Sequence, residues 1–148
     1  MPADLVASSG PNRSFPEPSL APRSVLIVED DRAVGTILEL VLRTAGHHVR
    51  IVAGSGEARE ALAGGNHDLV LLDLQLPDGH GFELLEYVRA ELGSSVPVVI
   101  LSATRAEESR PRGLELGAND YMSKPFSSED VLAKVRRWTE PEPAAAEA

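Results

Sequence analysis

Acidic side chains and one lysine follow three strand-like segments of the chain, at the points where those segments end. Asp73 comes directly after residues 69–72, the acidic run 29–31 follows residues 25–28, and Lys124 follows a third, shorter segment. Because the carboxyl ends of parallel strands meet at one edge of a sheet, we expect these groups to lie together. Carboxylates gathered in this way repel one another unless a cation joins them. The pattern therefore predicts metal-assisted phosphoryl chemistry.

Asp73 is the predicted nucleophile, because a carboxylate can attack phosphorus and form an acyl phosphate. Bringing a phosphoryl dianion up to several carboxylates is strongly repulsive in a partly dry site. A hard divalent ion removes that barrier, and Mg²⁺ prefers one or two carboxylates together with water and phosphate oxygens. Lys124 would act as a fixed positive charge on the transferred group. We therefore predict Mg²⁺ as the cofactor.

The composition is that of an ordinary soluble globular protein. The 148 residues suffice for one domain with a real core and are too few for two comfortable ones. The absence of cysteine excludes disulfides, thiolate nucleophiles and cysteine-based zinc sites. A formal charge of −9 argues against direct binding to DNA or to an anionic membrane. No apolar run reaches membrane-spanning length and no secretion signal is evident, so we expect a cytoplasmic protein.

The ends of the chain differ in composition from its middle. Residues 1–22 contain five prolines mixed with serine, alanine and glycine and show no helical or strand period, which predicts a disordered arm. Residues 140–148 alternate glutamate and proline before an alanine-rich end and predict a disordered tail. One domain is expected between them, over residues 23–139. The chain stops soon after Trp138, so we expect no output domain.

Strand-like and helix-like segments alternate between the two ends. The strand candidates are residues 25–28, 49–52, 69–72, 96–101 and 120–123. Most of them are apolar on both faces, which is typical of a parallel sheet covered by helices on each side. Five such βα units predict an α/β sandwich of three layers.

The helices are predicted from apolar residues recurring every three or four positions. A first helix carries the stripe Val34, Ile37, Leu38 and Val41, a second fits residues 57–63, a third ends near Gly93 and the last begins after Ser127. The fourth helix, over residues 107–116, contains Pro111, which clashes inside a helix but is tolerated in the first turn. We expect that helix to begin near Ser109 or to kink.

Four segments together resemble the landmarks of response-regulator receiver domains. They are residues 27–31 (IVEDD), 71–81 (LLDLQLPDGHG), 100–103 (ILSA) and 117–126 (GANDYMSKPF), in the family's order and with family-like gaps. The resemblance covers roughly residues 23–139. It implies a doubly wound, five-stranded parallel sheet of flavodoxin-like (βα)5 topology, with the active site at the carboxyl ends of the strands.

The resemblance also implies a metal site around the phosphoacceptor. Asp73 would accept the phosphoryl group and contact Mg²⁺, and Asp30 would be a second metal ligand. Glu29 would hold metal-bound water, and the main-chain carbonyl of Gln75 would supply a further ligand. Asp31 serves instead as the cap of the first helix.

The resemblance implies that three further residues respond to the phosphoryl group. Ser102 would hydrogen-bond it, at a position where threonine is the more familiar residue, and Lys124 would pair with one of its oxygens. A cis peptide bond between Lys124 and Pro125 would aim the ammonium inward. Tyr121 would change rotamer as Ser102 is drawn toward the phosphoryl group, which shifts the population between two packings.

The implied partners are those of a phosphorelay. The donor would be a histidine kinase, a phosphotransfer protein or a small phosphodonor, and the protein would signal to a downstream target rather than act as an enzyme. The readout face would comprise the fourth helix, the fifth strand and the fifth helix. A homodimer through that face is possible if the charges of Asp120, Asp130 and Lys134 pair across it.

Other functions stay open at this point. A phosphohydrolase of the haloacid dehalogenase type also uses an aspartyl nucleophile, but it wants a second aspartate two residues later, where Gln75 stands. A flavodoxin-like cofactor binder needs a Ser/Thr/Gly-rich phosphate loop after the first strand, where the acidic run 29–31 would repel phosphate. A third alternative is a receiver fold that serves solely as an interaction module. The presence of all the acidic, hydroxyl and lysine residues of a phosphorylation site argues against it.

Overall fold

Five strands form one parallel sheet at the centre of the molecule. The computed structural model describes residues 21–103 and 106–140, with side chains described in all of these except 106–108. The strands are β1 (Ser24–Val28), β2 (His48–Val52), β3 (Leu69–Asp73), β4 (Val98–Ser102) and β5 (Asp120–Ser123). Their order in the sheet is β2-β1-β3-β4-β5, with all pairs parallel. This confirms the predicted flavodoxin-like, doubly wound topology.

Helices cover both faces of the sheet and complete the three layers. They are α1 (Arg32–Thr44), α2 (Ser55–Gly64), α3 (Gly81–Glu86), α4 (Ala106–Glu115) and α5 (Ser128–Thr139). α3 continues directly into a π-helical turn, Tyr87–Glu91, which the sequence did not predict. None of the helices in the described ranges combines the length and apolar character needed to cross a bilayer.

The core lies in two clusters, one on each face of the sheet, because successive strand residues point to opposite faces. The cluster under α1 and α5 contains Val25, Ile27, Leu38, Leu42, Leu69, Leu71, Val99, Leu101, Met122, Val131 and Val135. The cluster under α2, α3 and α4 contains the alternate strand residues, among them Leu26, Val28, Val70, Leu72 and Ile100. Burial of the central strands on both faces explains their continuous apolar runs.

Differences from the sequence predictions include the starts of two elements and the exposure of one residue. α4 begins at Ala106, ahead of the predicted start near Ser109, and Pro111 lies inside the helix, outside the first turn. β4 begins at Val98 rather than at residue 96, because Pro97 has no N–H to give to a strand ladder. Ile37 is 53% exposed although the periodicity placed it in the buried stripe of α1. That stripe is centred on Leu38, and one residue along a helix is a turn of about 100°.

The predicted disordered arm and tail lie almost entirely outside the described residues. The segments concerned are residues 1–20 and 141–148. α5 begins directly after Ser127, as predicted, and is capped there, since the Ser127 hydroxyl accepts the Asp130 N–H at 3.0 Å and the Asp130 carboxylate accepts the Ser127 N–H at 3.1 Å. Such reciprocal bonds fix where a helix begins.

Candidate functional site

Asp73 is the last residue of β3 and stands at the middle of the carboxyl edge of the sheet. β3 pairs with β1 on one side and β4 on the other, and Asp73 itself is only 7% exposed. The chain then turns so tightly that a Cβ on Gly81 would lie 2.8 Å from the Asp73 carbonyl oxygen, so that position admits only glycine. These contacts fix the Asp73 backbone beneath an open cavity.

The loop between β1 and α1 brings two more carboxylates to the same place. The Glu29 N–H donates to the Val52 carbonyl at 3.0 Å, and the Glu29 carboxylate accepts the Asp31 N–H at 3.1 Å. Asp31 caps α1, as predicted, by accepting the N–H groups of Ala33 and Val34 at 2.9 and 3.2 Å. The loop is therefore held at both ends, with Glu29 buried and Asp30 exposed.

Glu29, Asp30 and Asp73 form a set of oxygen donors that fits a hard divalent cation. One carboxylate oxygen from each lies within 4.8 Å of the other two. Burial raises the pKa of the Glu29 carboxyl, against the lowering effect of hydrogen bonds from Lys124 and Asp31. Negative charge is thus unfavourable here without a nearby cation, and carboxylate oxygens at this spacing are what Mg²⁺ and similar ions bind.

Lys124 extends from the end of β5 into this acidic cluster. Its peptide bond to Pro125 is cis, as the resemblance implied, and its N–H donates to the Ser102 carbonyl at 3.0 Å. The ammonium Nζ lies 2.8 Å from Glu29 Oε1 and 3.5 Å from Asp73 Oδ1. Burial acts to lower the pKa of Lys124, but the Glu29 and Asp73 carboxylates outweigh it and hold that pKa above its ordinary value. The group is therefore a fixed ammonium beside Asp73.

Ser102 and Tyr121 occupy the neighbouring strands β4 and β5. Ser102, at the end of β4, is 2% exposed and lines the same cavity as Asp73. Tyr121, in β5, is 5% exposed, and its hydroxyl donates to the Ser109 carbonyl of α4 at 2.5 Å. A Cβ on Gly113 of α4 would lie 2.6 Å from that hydroxyl, so a glycine is required for Tyr121 to pack inward. Burial raises the pKa of Tyr121 above its usual value.

One cavity of about 450 Å³ is lined by all the predicted site residues except Tyr121. Its lining consists of Glu29, Asp30, Asp31, Asp73, Leu74, Gln75, Leu76, Pro77, Ser102, Ala103 and Lys124. The structure thus brings together residues from the ends of β1, β3, β4 and β5. An open cavity with an acidic floor and one ammonium can admit a cation and a phosphoryl group together.

The charges considered for a homodimer have partners within the chain. Lys134 Nζ and the Trp138 indole Nε1 both donate to Asp120 Oδ2, at 2.8 and 2.9 Å, and Asp130 belongs to the α5 cap. Burial acts to raise the pKa of Asp120, but the bonds from Lys134 and Trp138 outweigh it and leave that pKa below its usual value. Asp120 and Lys134 therefore tie β5 to α5 within one molecule.

Asp78 lies beside the site, although the sequence pattern did not predict a role for it. In the structure its carboxylate accepts backbone N–H groups at the start of α2, 22 and 23 residues away. A signal for this contact exists in the sequence: Gly54, immediately before α2, has no side chain with which to cap that helix.

Comparison with known proteins places the chain in a family. Residues 25–136 match the model of the response regulator receiver domain. The transcriptional regulatory protein GltR of Pseudomonas aeruginosa is 40% identical over 115 residues, which are 77% of this chain and 48% of GltR. The chain therefore spans about half the length of this curated relative.

Solved structures agree with the match. The non-phosphorylated receiver domain of HemR from Leptospira biflexa is 33% identical, with a TM-score of 0.74 over 81% of this chain and 96% of that one. The receiver domain of the sensor histidine kinase PA1611 from Pseudomonas aeruginosa PAO1 is 32% identical, with a TM-score of 0.73 over 80% of this chain and 98% of that one. The PA1611 structure has a magnesium ion coordinated in its active-site cleft.

Proposed function

Because the chain belongs to the response regulator receiver domain family, the phosphoacceptors of two-component signalling, we propose that Asp73 is its phosphoacceptor. The observation that carries this proposal is the convergence of Glu29, Asp30 and Lys124 around Asp73 at one edge of the sheet. Membership of the family also argues against the two alternative functions, a phosphohydrolase and a flavodoxin-like cofactor binder.

In the proposed reaction an Asp73 carboxylate oxygen attacks phosphorus and the bond between phosphorus and the donor breaks. The leaving group is the imidazole of a donor histidine or the carboxylate of a small acyl phosphate. Bound Mg²⁺ would offset the negative charge of the carboxylates and the phosphoryl oxygens. Asp30 and Asp73 would hold it directly, Glu29 through water and Gln75 through its main-chain carbonyl.

The remaining residues act on the transferred group. Lys124, already 3.5 Å from Asp73, would leave Glu29 and pair with a phosphoryl oxygen. The Ser102 hydroxyl would hydrogen-bond a second oxygen, and Tyr121 would follow into the space that Ser102 vacates. The Tyr121 hydroxyl donates a hydrogen bond to the Ser109 carbonyl of α4, so movement of Tyr121 would alter the face formed by α4, β5 and α5.

The proposal extends to partners and organisation. The donor is a histidine kinase or phosphotransfer protein, and the response is binding of a downstream protein rather than catalytic turnover on a substrate. The unit that carries out this function is residues 23–139, located in the cytoplasm. The formal charge of −9 over the full chain disfavours direct, sequence-independent attraction to DNA. The intramolecular pairing of Asp120 with Lys134 favours a heterologous target over a homodimer that uses these charges.

Phosphorylation should require Mg²⁺. Incubation of the purified protein with acetyl phosphate and Mg²⁺ should add the mass of one phosphoryl group, and chelation with EDTA should reduce incorporation by at least about a hundredfold, because the carboxylates then repel the donor. Intact-protein mass spectrometry measures both. Adding excess Mg²⁺ back must restore labelling. Incorporation that proceeds equally with EDTA would contradict the proposed role of the acidic cluster.

A further inference from the structure

The segment that follows Asp73 is a small hairpin whose tip is fastened to α2. Residues Gln75–Leu76 pair antiparallel with Gly79–His80, and Asp78 lies in the two-residue turn between them. We propose that Asp78 is a positioning residue for the metal site: by holding the hairpin tip on α2, it fixes the main-chain carbonyl of Gln75. This inference rests on the proposed function, because it concerns the same Mg²⁺ site.

Asp78 provides α2 with the cap that its own sequence lacks. The N-cap residue, Gly54, makes no side-chain hydrogen bond. Asp78 Oδ1 accepts the Ser55 N–H at 2.6 Å, and Asp78 Oδ2 accepts the Gly56 N–H at 3.1 Å. Hydrogen bonds from Ser55 and Gly56 lower the pKa of the Asp78 carboxyl, so it is ionised at neutral pH at the positive end of the helix dipole. Both carboxylate oxygens are used.

The hairpin has little strand pairing of its own, although Leu76 packs partly buried against the core under α2, α3 and α4. It contains only two residues in each strand, and a two-stranded hairpin is marginally stable by itself. At its base the Gly81 N–H donates to the Leu74 carbonyl at 2.7 Å. Near its tip, a Cβ on Gly79 would lie 3.4 Å from the buried Ser55 side chain, so the backbone packs closely on α2. The Asp78 bonds are the polar contacts that lock this packing.

Gln75 lies between these two attachments and lines the cavity that contains Asp73. With the base fixed at Leu74 and the tip fixed at Asp78, the Gln75 backbone has little freedom to move. Loss of the tip contact would leave the Asp30 and Asp73 carboxylates in place and disturb a single metal ligand. The expected consequence is weaker Mg²⁺ binding without loss of the chemical step.

Asp78→Ala should raise the Mg²⁺ dissociation constant about tenfold, in the range seen when groups that orient metal ligands are removed. At saturating Mg²⁺ the rate of labelling by acetyl phosphate should stay within about twofold of wild type, since the nucleophile is untouched. Asp78→Asn keeps one carbonyl oxygen as acceptor and should give an intermediate dissociation constant. Isothermal titration calorimetry with MgCl₂ and labelling at several Mg²⁺ concentrations measure these quantities.

Asp130→Ala is the matched control, because it removes a capping carboxylate from α5, on a helix that contributes no residue to the cavity. It should leave the Mg²⁺ dissociation constant unchanged. Equal dissociation constants for wild type and Asp78→Ala would overturn the inference while leaving the proposed function intact. Absence of Mg²⁺ binding by wild type would overturn both. If Asp78→Ala does not fold, Asp78→Asn decides, and a wild-type dissociation constant for it would overturn the inference.

Discussion

Replacing Asp73 with asparagine should abolish phosphoryl incorporation from acetyl phosphate in the presence of Mg²⁺. An amide oxygen has no negative charge with which to attack phosphorus, and no acyl phosphate can form on it. The protein should stay folded, because asparagine has nearly the same shape and removes one charge from a repulsive cluster. Intact-protein mass spectrometry should detect one added phosphoryl group in wild type and none in Asp73→Asn.

The matched control for this change is Asp68→Asn, at the opposite end of the same strand. Asp68 accepts the Ser24 N–H at 2.8 Å, a bond that an asparagine oxygen can also accept. Labelling of this variant should equal that of wild type. If Asp73→Asn is labelled as well as wild type, the phosphoryl group resides on another residue and the site assignment fails.

Replacing Lys124 with alanine should destabilise the protein in the absence of Mg²⁺ by about 2–4 kcal/mol, because Glu29 is then buried without its ion-pair partner. Mg²⁺ should recover part of that loss, since its charge takes the place of the ammonium, and Mg²⁺ affinity should not fall. Urea denaturation with and without Mg²⁺ measures the first effect. The second effect concerns the signal: after phosphorylation, Ser102 and Tyr121 should no longer respond.

Amide chemical shifts of α4, β5 and α5, recorded before and after phosphorylation, measure that response. Lys134→Ala is the control, because its ion pair with Asp120 is also 2.8 Å long but lies outside the cavity. It should cost about 1 kcal/mol or less, because Asp120 keeps the Trp138 indole as a hydrogen-bond donor, and it should preserve the response. A Lys124→Ala protein that responds like wild type would refute the role assigned to this lysine.

The convergence of the site was predictable because it depends on strand ends alone. Asp73 and Asp30 come at the ends of apolar runs, Lys124 follows a shorter strand-like segment, and a parallel sheet places all such ends on one edge. The cap of α1 by Asp31 was predictable for a related reason, since it depends on residues two and three positions away. Both predictions depend on short stretches of sequence and do not require knowledge of contacts between distant segments.

Contacts between distant segments were not predictable in this way. The Asp78 carboxylate accepts hydrogen bonds from α2 residues that lie 22 and 23 positions earlier in the chain. The spacing of apolar residues does not predict such a contact. Asp120 and Lys134 were considered as charges for a second molecule, whereas they meet within the chain because β5 runs beside α5. Pro111 shows the limit of local rules, since α4 continues through it despite the lost N–H. Tertiary packing outweighs propensity there.

In the proposed function one carboxylate, Asp73, accepts phosphorus at the carboxyl edge of the sheet, between a cation site and an ammonium. A crystal structure with Mg²⁺ and beryllofluoride, which mimics a phosphoryl group on a carboxylate, is the decisive measurement. We expect beryllium bonded to an Asp73 carboxylate oxygen, Mg²⁺ in contact with Asp30 and Asp73, and Lys124 moved from Glu29 to a fluorine. Beryllium on another side chain, or Mg²⁺ bound away from this cavity, would contradict it.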